Sequence, residues 1–220
     1  RSYVGAVREP PLPNPWHDYQ RGTPMIDLTQ YSELTVRQEV EHMEAFTGFE
    51  TSNRYRISSS EGEPLLYAFE ESGFLGRQFL KGHRPLTLHI VDENNEPLLV
   101  ASRGFFFFLS HLHISDGDGR PVGSLRRNFA VLKRRFTLED PMGAPIAEVR
   151  GPIFRPNTFM IYRNDEEVAR VTKQWSGIMK EAFTDADTFR VQQNTEGLGQ
   201  EFALLILATA LAIDLDFFEK

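Results

Sequence analysis

Between residues 55 and 174 the chain repeats one pattern five times: a short alternation of apolar and polar residues, a polar turn, and a second short alternation. Alternation with a period of two is typical of half-buried β-strands. Each turn is rich in Asp, Asn, Gly or Glu, and proline follows the turn in four of the five. The pattern therefore predicts five hairpins, at 55–70, 86–102, 112–127, 136–151 and 159–174.

The C-terminal region has a different pattern. Residues 202–213, FALLILATALAI, are almost entirely apolar, and Asp214 and Asp216 follow them. Because a bilayer-spanning helix needs about 20 apolar residues, a helix buried within the protein is the better interpretation. Ten hairpin strands, with one or two more at the edges, make a sheet that gains from closing on itself. We therefore predict a mainly β fold: a closed antiparallel barrel of about twelve strands around this helix.

Two segments precede the hairpins. Residues 8–15, REPPLPNP, contain four prolines, which favours an extended tether or a disordered arm. We expect residues 1–27 to form a Pro-rich N-terminal arm and residues 28–220 to form the barrel domain. The segment 32–46, SELTVRQEVEHMEAF, begins with a capping Ser32 and has apolar residues at helical spacing. It predicts a short N-terminal helix.

Composition and motifs exclude several classes of function. The net charge is −7 and the chain has no basic tail, which argues against a nucleic-acid partner. Cysteine is absent, which excludes disulfides, thiolate metal sites and cysteine nucleophiles. His111 and His113 are spaced for a metal on one strand face, but no third ligand is evident and two solvent-facing polar residues fit equally. We find no catalytic arrangement and no phosphate-binding loop.

Four stretches of sequence are distinctive: AFTGFETSNRYRI (45–57), RPLTLHIVDENNE (84–96), KQWSGIMKEAFTDADTF (173–189) and AIDLDFFE (212–219). In this order and spacing they resemble the phospholipid scramblase family, from about Leu28 to Glu219. The resemblance implies the barrel of the tubby C-terminal domain and the LURP-one-related proteins, with a hydrophobic C-terminal helix at its centre. It also implies calcium-activated transbilayer movement of phospholipid. The absence of cysteine fits a bacterial-type member.

The family's proposed calcium segment corresponds to DADTFRVQQNTE, which begins at Asp185. It places Asp185, Asp187 and Glu196 at the first, third and twelfth positions of an EF-hand-like loop. Phe189 stands where a ligand oxygen is expected, and Arg190 stands where the loop needs glycine. Calcium held here would bind with an affinity on the order of millimolar. The aspartates also suit a turn in which they accept backbone N–H groups, and both interpretations stay open.

Four consecutive phenylalanines lie between the second and third hairpins: Phe105, Phe106, Phe107 and Phe108, here called the Phe run. If the run is extended, two side chains point outwards and form an unusual apolar patch. By resemblance, many animal scramblases carry acylated, cysteine-rich runs near this place. Apolar residues at 74–75, 79–80 and 153–154 accompany the Phe run. We hypothesise that these loops cluster at one barrel end and touch lipid.

Cations flank these loops at Arg77, Lys81, His83, Arg103 and Arg155 and could meet lipid phosphates. A further basic stretch, LRRNFAVLKRRF, joins the third and fourth hairpins and contains Arg126, Arg127, Lys133, Arg134 and Arg135. By resemblance to tubby-like barrels it suggests binding of phosphoinositide headgroups or phosphate. A solvated face that balances nearby acids is the alternative. The Phe run has its own alternatives, a strand covered on both faces or an interface with a protein.

Together these observations predict a scramblase-family protein that is cytoplasmic, peripheral to the membrane and bound to phospholipid. The Phe run and the basic stretch would contact the membrane, and lipid would move by disturbance of the surface rather than through a pore. The alternative is a non-catalytic scaffold that docks on a protein partner through the Pro-rich arm and the Phe run. Lipid binding that depends on the Phe run separates the two.

Overall fold

The computed structural model describes residues 26–39, 53–71, 85–106, 109–129, 134–174 and 187–218. Within them are twelve β-strands. They are β1 (Glu33–Gln38), β2 (Arg54–Ser59), β3 (Pro64–Glu71), β4 (Leu86–Val91), β5 (Pro97–Arg103), β6 (His111–Asp116), β7 (Pro121–Asn128), β8 (Arg134–Glu139), β9 (Pro145–Gly151), β10 (Thr158–Arg163), β11 (Glu166–Gln174) and β12 (Thr188–Gln193). Each strand pairs antiparallel with its neighbours in sequence, and β1 pairs with β12 to close the barrel.

All five predicted hairpins are confirmed, as β2–β3, β4–β5, β6–β7, β8–β9 and β10–β11. Four of them share one turn geometry. A side-chain oxygen at the end of the first strand accepts the backbone N–H groups two and four residues further on, at Ser59, Asp92, Asp116 and Asp140. A residue with positive φ then ends each turn, and proline begins the next strand. The turn chemistry visible in the sequence therefore sets the hairpin register.

The predicted central helix is also confirmed. Helix α1 (Gln200–Phe217) lies inside the barrel, and every residue from Phe202 to Leu215 is buried. A helix that is apolar on all sides is stable when other parts of the protein surround it completely. The hydroxyl of Thr209 is satisfied within the helix, since it donates to the carbonyl of Leu205 at 2.7 Å. In the part of the chain that the structure describes, no helix has the length and apolar character needed to cross a membrane.

The predicted N-terminal helix is wrong for the described part of its segment. Residues Glu33–Gln38 form strand β1, in which Leu34 and Val36 face the core. The helical spacing depends on Val36, Val40, Met43 and Phe46, of which only Val36 belongs to this strand. Leu34 and Val36 alternate as strand residues do, and pairing with β2 and β12 holds this segment as a strand. Residues 40–46 lie outside the described residues, as do residues 1–25, which contain most of the predicted Pro-rich arm.

The two ends of the barrel differ in the length of their connections. At one end, here called the turn end, the strands are joined by the short hairpin turns. At the other, the loop end, the connections are 39–53, 72–85, 104–110, 129–133, 152–157 and 175–187. Helix α1 ends at the loop end of the barrel. There Phe217 packs on Phe136 and Phe159, near the starts of β8 and β10.

Candidate functional site

Large apolar side chains are exposed at the loop end. Five of the six such residues in the described chain lie there: Phe105, Leu109, Phe129, Ile153 and Phe154, here called the apolar rim. They belong to the β5–β6, β7–β8 and β9–β10 connections, which are neighbours around the barrel. Phe154 is 97% exposed, and the exposed Arg155 follows it. The sixth residue, Met142, is 94% exposed but lies at the turn end.

The Phe run contributes to this rim from a loop rather than from a strand. Strand β5 ends at Arg103 and β6 begins at His111, so Phe105 and Phe106 do not alternate across a sheet as an extended run would. Phe105 is exposed, whereas Phe106 is half-buried with its ring centroid 5.0 Å from the guanidinium carbon of Arg103. Phe107 and Phe108 lie outside the described residues.

Both ends of the Phe-run loop are attached to the end of helix α1. The Arg103 guanidinium forms an ion pair with one carboxylate oxygen of Asp216, and the Ser110 hydroxyl donates to the other. Nearby, the hydroxyl of Tyr55 donates to Asp214 at 2.6 Å. The two aspartates that follow the apolar residues 202–213 thus each accept a hydrogen bond inside the protein. Arg103 holds the loop and is too deeply buried to act as a surface cation.

The basic stretch divides into two groups, because side chains alternate across a strand. Arg126 and Arg135 lie on the outer wall, where Arg126 pairs with Glu139 at 2.7 Å and Arg135 pairs with Glu148 at 3.1 Å. Arg127 and Arg134 instead lie at the mouth of the barrel with the end of helix α1. Lys133 lies outside the described residues. Of the described cations of the basic stretch, the structure therefore brings Arg127 and Arg134 together beside the Phe217 ring.

Aromatic rings and cations meet at this mouth. The guanidinium carbon of Arg127 is 4.7 Å from the centroid of the Phe217 ring. That of Arg134 is 5.4 Å from the same centroid and 4.5 Å from that of Phe159. Lys173 lies 4.0 Å from the Phe218 ring centroid and 2.6 Å from a carboxylate oxygen of Asp187. Burial lowers the pKa of the Arg134 guanidinium, which nonetheless stays charged at physiological pH.

Two of the predicted calcium ligands, Asp187 and Glu196, are not brought together. Asp187 precedes β12, with its carboxylate on Lys173, while Glu196 follows β12 at the opposite end of the barrel. A strand of six residues spans about 20 Å, so these two carboxylates do not surround one ion in the described geometry. Asp185 lies outside the described residues. Among residues that are described, no group of three or more His, Asp or Glu is arranged to hold a metal.

A polar cluster, of which the sequence indicated only the two histidines, lies on the outer wall. Nε2 of His111 is 3.0 Å from the Ser124 hydroxyl and 3.3 Å from a carboxylate oxygen of Glu139, and its ring centroid is 4.3 Å from that of His113. Ser124 donates to Glu139 at 2.9 Å. Because serine and carboxylate contact the same ring nitrogen, the cluster lacks the relay of a nucleophilic triad.

Charge and burial shift the pKa values of this cluster. Burial lowers the pKa of His111, and the neighbouring His113 lowers it further against the opposing effect of Glu139. Burial alone would raise the pKa of Glu139, but hydrogen bonds from Ser124 and Arg126, with the charge of Arg126, hold it below its usual range. Strand spacing alone could have placed His111 opposite Arg126, but nothing local indicated Glu139, which comes from a third strand.

A known protein family matches the chain over nearly the whole of this fold. The family model described as Scramblase matches residues 17–220, which covers the barrel and the central helix. The chain belongs to the scramblase family. This scramblase-family chain is 33% identical over 207 residues to Phospholipid scramblase 1 of Rattus norvegicus, covering 88% of this chain and 62% of that protein. It is 28% identical to Phospholipid scramblase 1 of Homo sapiens, covering 98% of this chain and 72% of that protein.

Other relatives of the scramblase-family chain are also eukaryotic proteins. They include fungal relatives from Saccharomyces cerevisiae and Schizosaccharomyces pombe, so the expected bacterial-type membership is not supported. In a comparison with solved structures, an Arabidopsis thaliana protein aligns with a TM-score of 0.48 and 11% identity, over 87% of this chain and 99% of that chain.

Proposed function

We propose that this protein binds phospholipid membranes from the surface, through the apolar rim, and moves phospholipid by disturbing the leaflet that it contacts. The observation that carries this proposal is the position of the exposed apolar side chains, five of which share the loop end of the barrel. Relatives that cover most of this chain are named phospholipid scramblases, which supports lipid as the ligand. The chain spans only 62% of the rat protein, so the activity is inferred from the rim itself.

The apolar rim has the chemistry of a membrane anchor. Phe154, Phe129 and Ile153 are exposed at the ends of neighbouring connections, where water solvates their apolar surfaces unfavourably. Burial of one such side chain contributes about 1.5–3 kcal/mol, so several inserted together would hold the protein at a bilayer. Insertion at the loop end also leaves the short hairpin turns in water, as their charged residues require.

Movement of lipid by disturbance of the membrane surface fits this structure better than passage of lipid through the barrel. Helix α1 occupies the interior, and its buried residues from Phe202 to Leu215 leave their place only if the core is lost. The outer wall carries ion pairs such as Arg126–Glu139 and Arg135–Glu148, which suit water. We therefore place the contact with lipid at the rim.

Flotation with vesicles of phosphatidylcholine tests the membrane contact. We expect the wild-type protein to float and the Phe154→Ser variant to float markedly less. Met142→Ser is the matched control, because Met142 is equally exposed but lies at the turn end. Equal losses in both variants, or no loss in either, would contradict the proposal. If the wild-type protein does not float, the rim is better explained as the docking surface of a scaffold for a protein partner.

The predicted calcium dependence is tested in the same assay. Weak calcium binding near Asp185, Asp187 and Glu196 remains a prediction, and calcium could also bridge a protein of net charge −7 to anionic lipid. Flotation on vesicles that contain phosphatidic acid, with and without calcium, separates these effects when it is repeated with Asp187→Asn. Calcium-dependent flotation that survives this substitution would assign the ion to the lipid interface rather than to the predicted segment.

A further inference from the structure

The mouth of the barrel at the loop end carries a concentration of positive charge that the apolar rim does not explain. We propose that Arg127 and Arg134 form a phosphate-binding site over the ring of Phe217. In the membrane-bound protein the phosphate would belong to a lipid headgroup, and this last identification rests on the proposed function. The site itself is argued from four observations: the shared ring, the lack of local neutralisation, the remaining donors of Arg134, and the position beside the apolar rim.

The two guanidinium groups converge although they come from different strands. Arg127 is near the end of β7 and Arg134 begins β8, yet both guanidinium carbons lie within 5.4 Å of the Phe217 ring centroid. A ring face attracts a cation, so Phe217 positions both. Two positive charges beside one ring repel each other, and an anion that contacts both removes this cost.

Carboxylates of the described residues do not neutralise the pair. In the described chain neither Arg127 nor Arg134 forms an ion pair with a carboxylate. The nearby acids are committed to other groups, with Asp216 bound to Arg103 and Asp187 bound to Lys173. The C-terminus of helix α1 supplies roughly half a negative charge, which two guanidinium groups exceed.

The guanidinium of Arg134 keeps donors for a ligand. It donates through one nitrogen to the backbone carbonyl of Pro156, and burial already removes part of its hydration. A guanidinium carries five N–H donors in a planar fork that matches two phosphate oxygens. A partly dehydrated guanidinium loses less hydration when it binds, so an anion with several acceptor oxygens is the ligand that this site fits best.

The site adjoins the apolar rim. Arg127 lies two residues before Phe129, and Pro156, which accepts from Arg134, lies in the same connection as Ile153 and Phe154. A lipid phosphate sits directly beside the apolar part of its own molecule. A rim that enters acyl chains would therefore bring the headgroup phosphate to the level of these two arginines.

Titration with inorganic phosphate, at constant ionic strength and without lipid, tests the site. We expect saturable binding that Arg134→Gln or Arg127→Gln weakens by about tenfold or more, since each removes a charged hydrogen-bond donor. The matched controls are Arg135→Gln and Arg126→Gln, which remove the same charge one residue away on the outer wall. These controls should bind phosphate like the wild-type protein. Equal weakening in all four variants, or no saturable binding by the wild-type protein, would overturn the proposal.

Flotation with vesicles shows whether the bound phosphate belongs to a lipid headgroup or is free phosphate. Flotation is compared on vesicles of phosphatidylcholine alone and with added phosphatidic acid. Greater flotation with phosphatidic acid that Arg134→Gln abolishes and Arg135→Gln preserves would assign the lipid headgroup. Arginine-dependent binding of inorganic phosphate with no flotation at all would support the site with free phosphate as its ligand, while contradicting the membrane proposal. Flotation that depends on Phe154 but not on Arg134, together with no phosphate binding, would overturn this inference and leave the membrane proposal standing.

Discussion

Arg103 and Asp216 form an ion pair whose side chains are 3% and 2% exposed, respectively. The pair joins the last residue of β5 to the last turn of helix α1, and Ser110 binds the same carboxylate from the start of the next strand. The loop that contains the Phe run is thus fixed at both ends to the central helix. This arrangement orients the exposed Phe105 and explains why Asp216 follows the apolar residues 202–213.

Removal of one partner from this pair should destabilise the barrel strongly. Arg103→Met leaves the Asp216 carboxylate buried with Ser110 as its remaining donor, and an uncompensated buried charge costs about 3–5 kcal/mol. Urea unfolding measures the change in free energy. Arg120→Met is the matched control, because Arg120 pairs with Asp116 but is largely exposed. The control should change stability far less. Similar losses in the two variants would show that Asp216 is not held as described.

The close packing of strand β7 around the helix gives a second prediction. A Cβ atom at Gly123 would lie 2.3 Å from the backbone oxygen of Glu139 and 3.2 Å from a methyl carbon of Leu205. Gly123→Ala should therefore cost about 1–3 kcal/mol of stability, because backbone has to move. At Gly104 a Cβ atom would meet nothing within 4 Å, so Gly104→Ala should be neutral. If both variants unfold at the same urea concentration as the wild type, the barrel is not packed on the helix here.

The histidine cluster predicts a pH dependence of stability. The folded-state pKa of His111 lies below its usual value, so the unfolded chain binds the proton more readily. With respect to His111, the free energy of unfolding is highest above about pH 6.5. It falls as the pH drops from there to the lower folded-state pKa. The groups that face His111 are His113, Ser124, Glu139 and Arg126.

His111→Gln should flatten the change in unfolding free energy between about pH 7 and pH 5. Glu139 acts in a lower range, since its depressed pKa gives stability that is lost only as the pH falls below the usual glutamate value near 4.5. Urea unfolding of both proteins across these pH values measures the difference. Parallel curves for the two proteins would contradict the described environment of His111.

Much of the fold could be predicted because its determinants are local. Ser59, Asp92, Asp116 and Asp140 stand at the turns that they stabilise, and the apolar residues 202–213 read as a fully buried helix before any strand is placed. Strand β1 was missed because the apolar spacing that indicated a helix lies mainly in residues 40–46, beyond the strand. What decides its conformation is pairing with Arg190 and its neighbours, more than 150 residues away.

The candidate site could be predicted only in part. Apolar loops were expected at one barrel end, and Phe105, Ile153 and Phe154 do lie at the loop end. The expected residues at 74–75 and 79–80 lie outside the described residues. The five cations of the basic stretch were treated as one group, although alternation from the buried Leu125 would have placed Arg126 outside the barrel. The burial of Arg103 depends on Asp216, which is 113 residues away and gives no local signal.

Attachment of a polarity-sensitive fluorophore at single sites tests the central claim most directly. The chain has no cysteine, so Phe154→Cys and Met142→Cys each accept one label, at opposite ends of the barrel. On addition of phosphatidylcholine vesicles, the label at 154 should shift to shorter emission wavelength and the label at 142 should not. Equal shifts at both positions, or no shift at 154, would contradict membrane docking through the loop end.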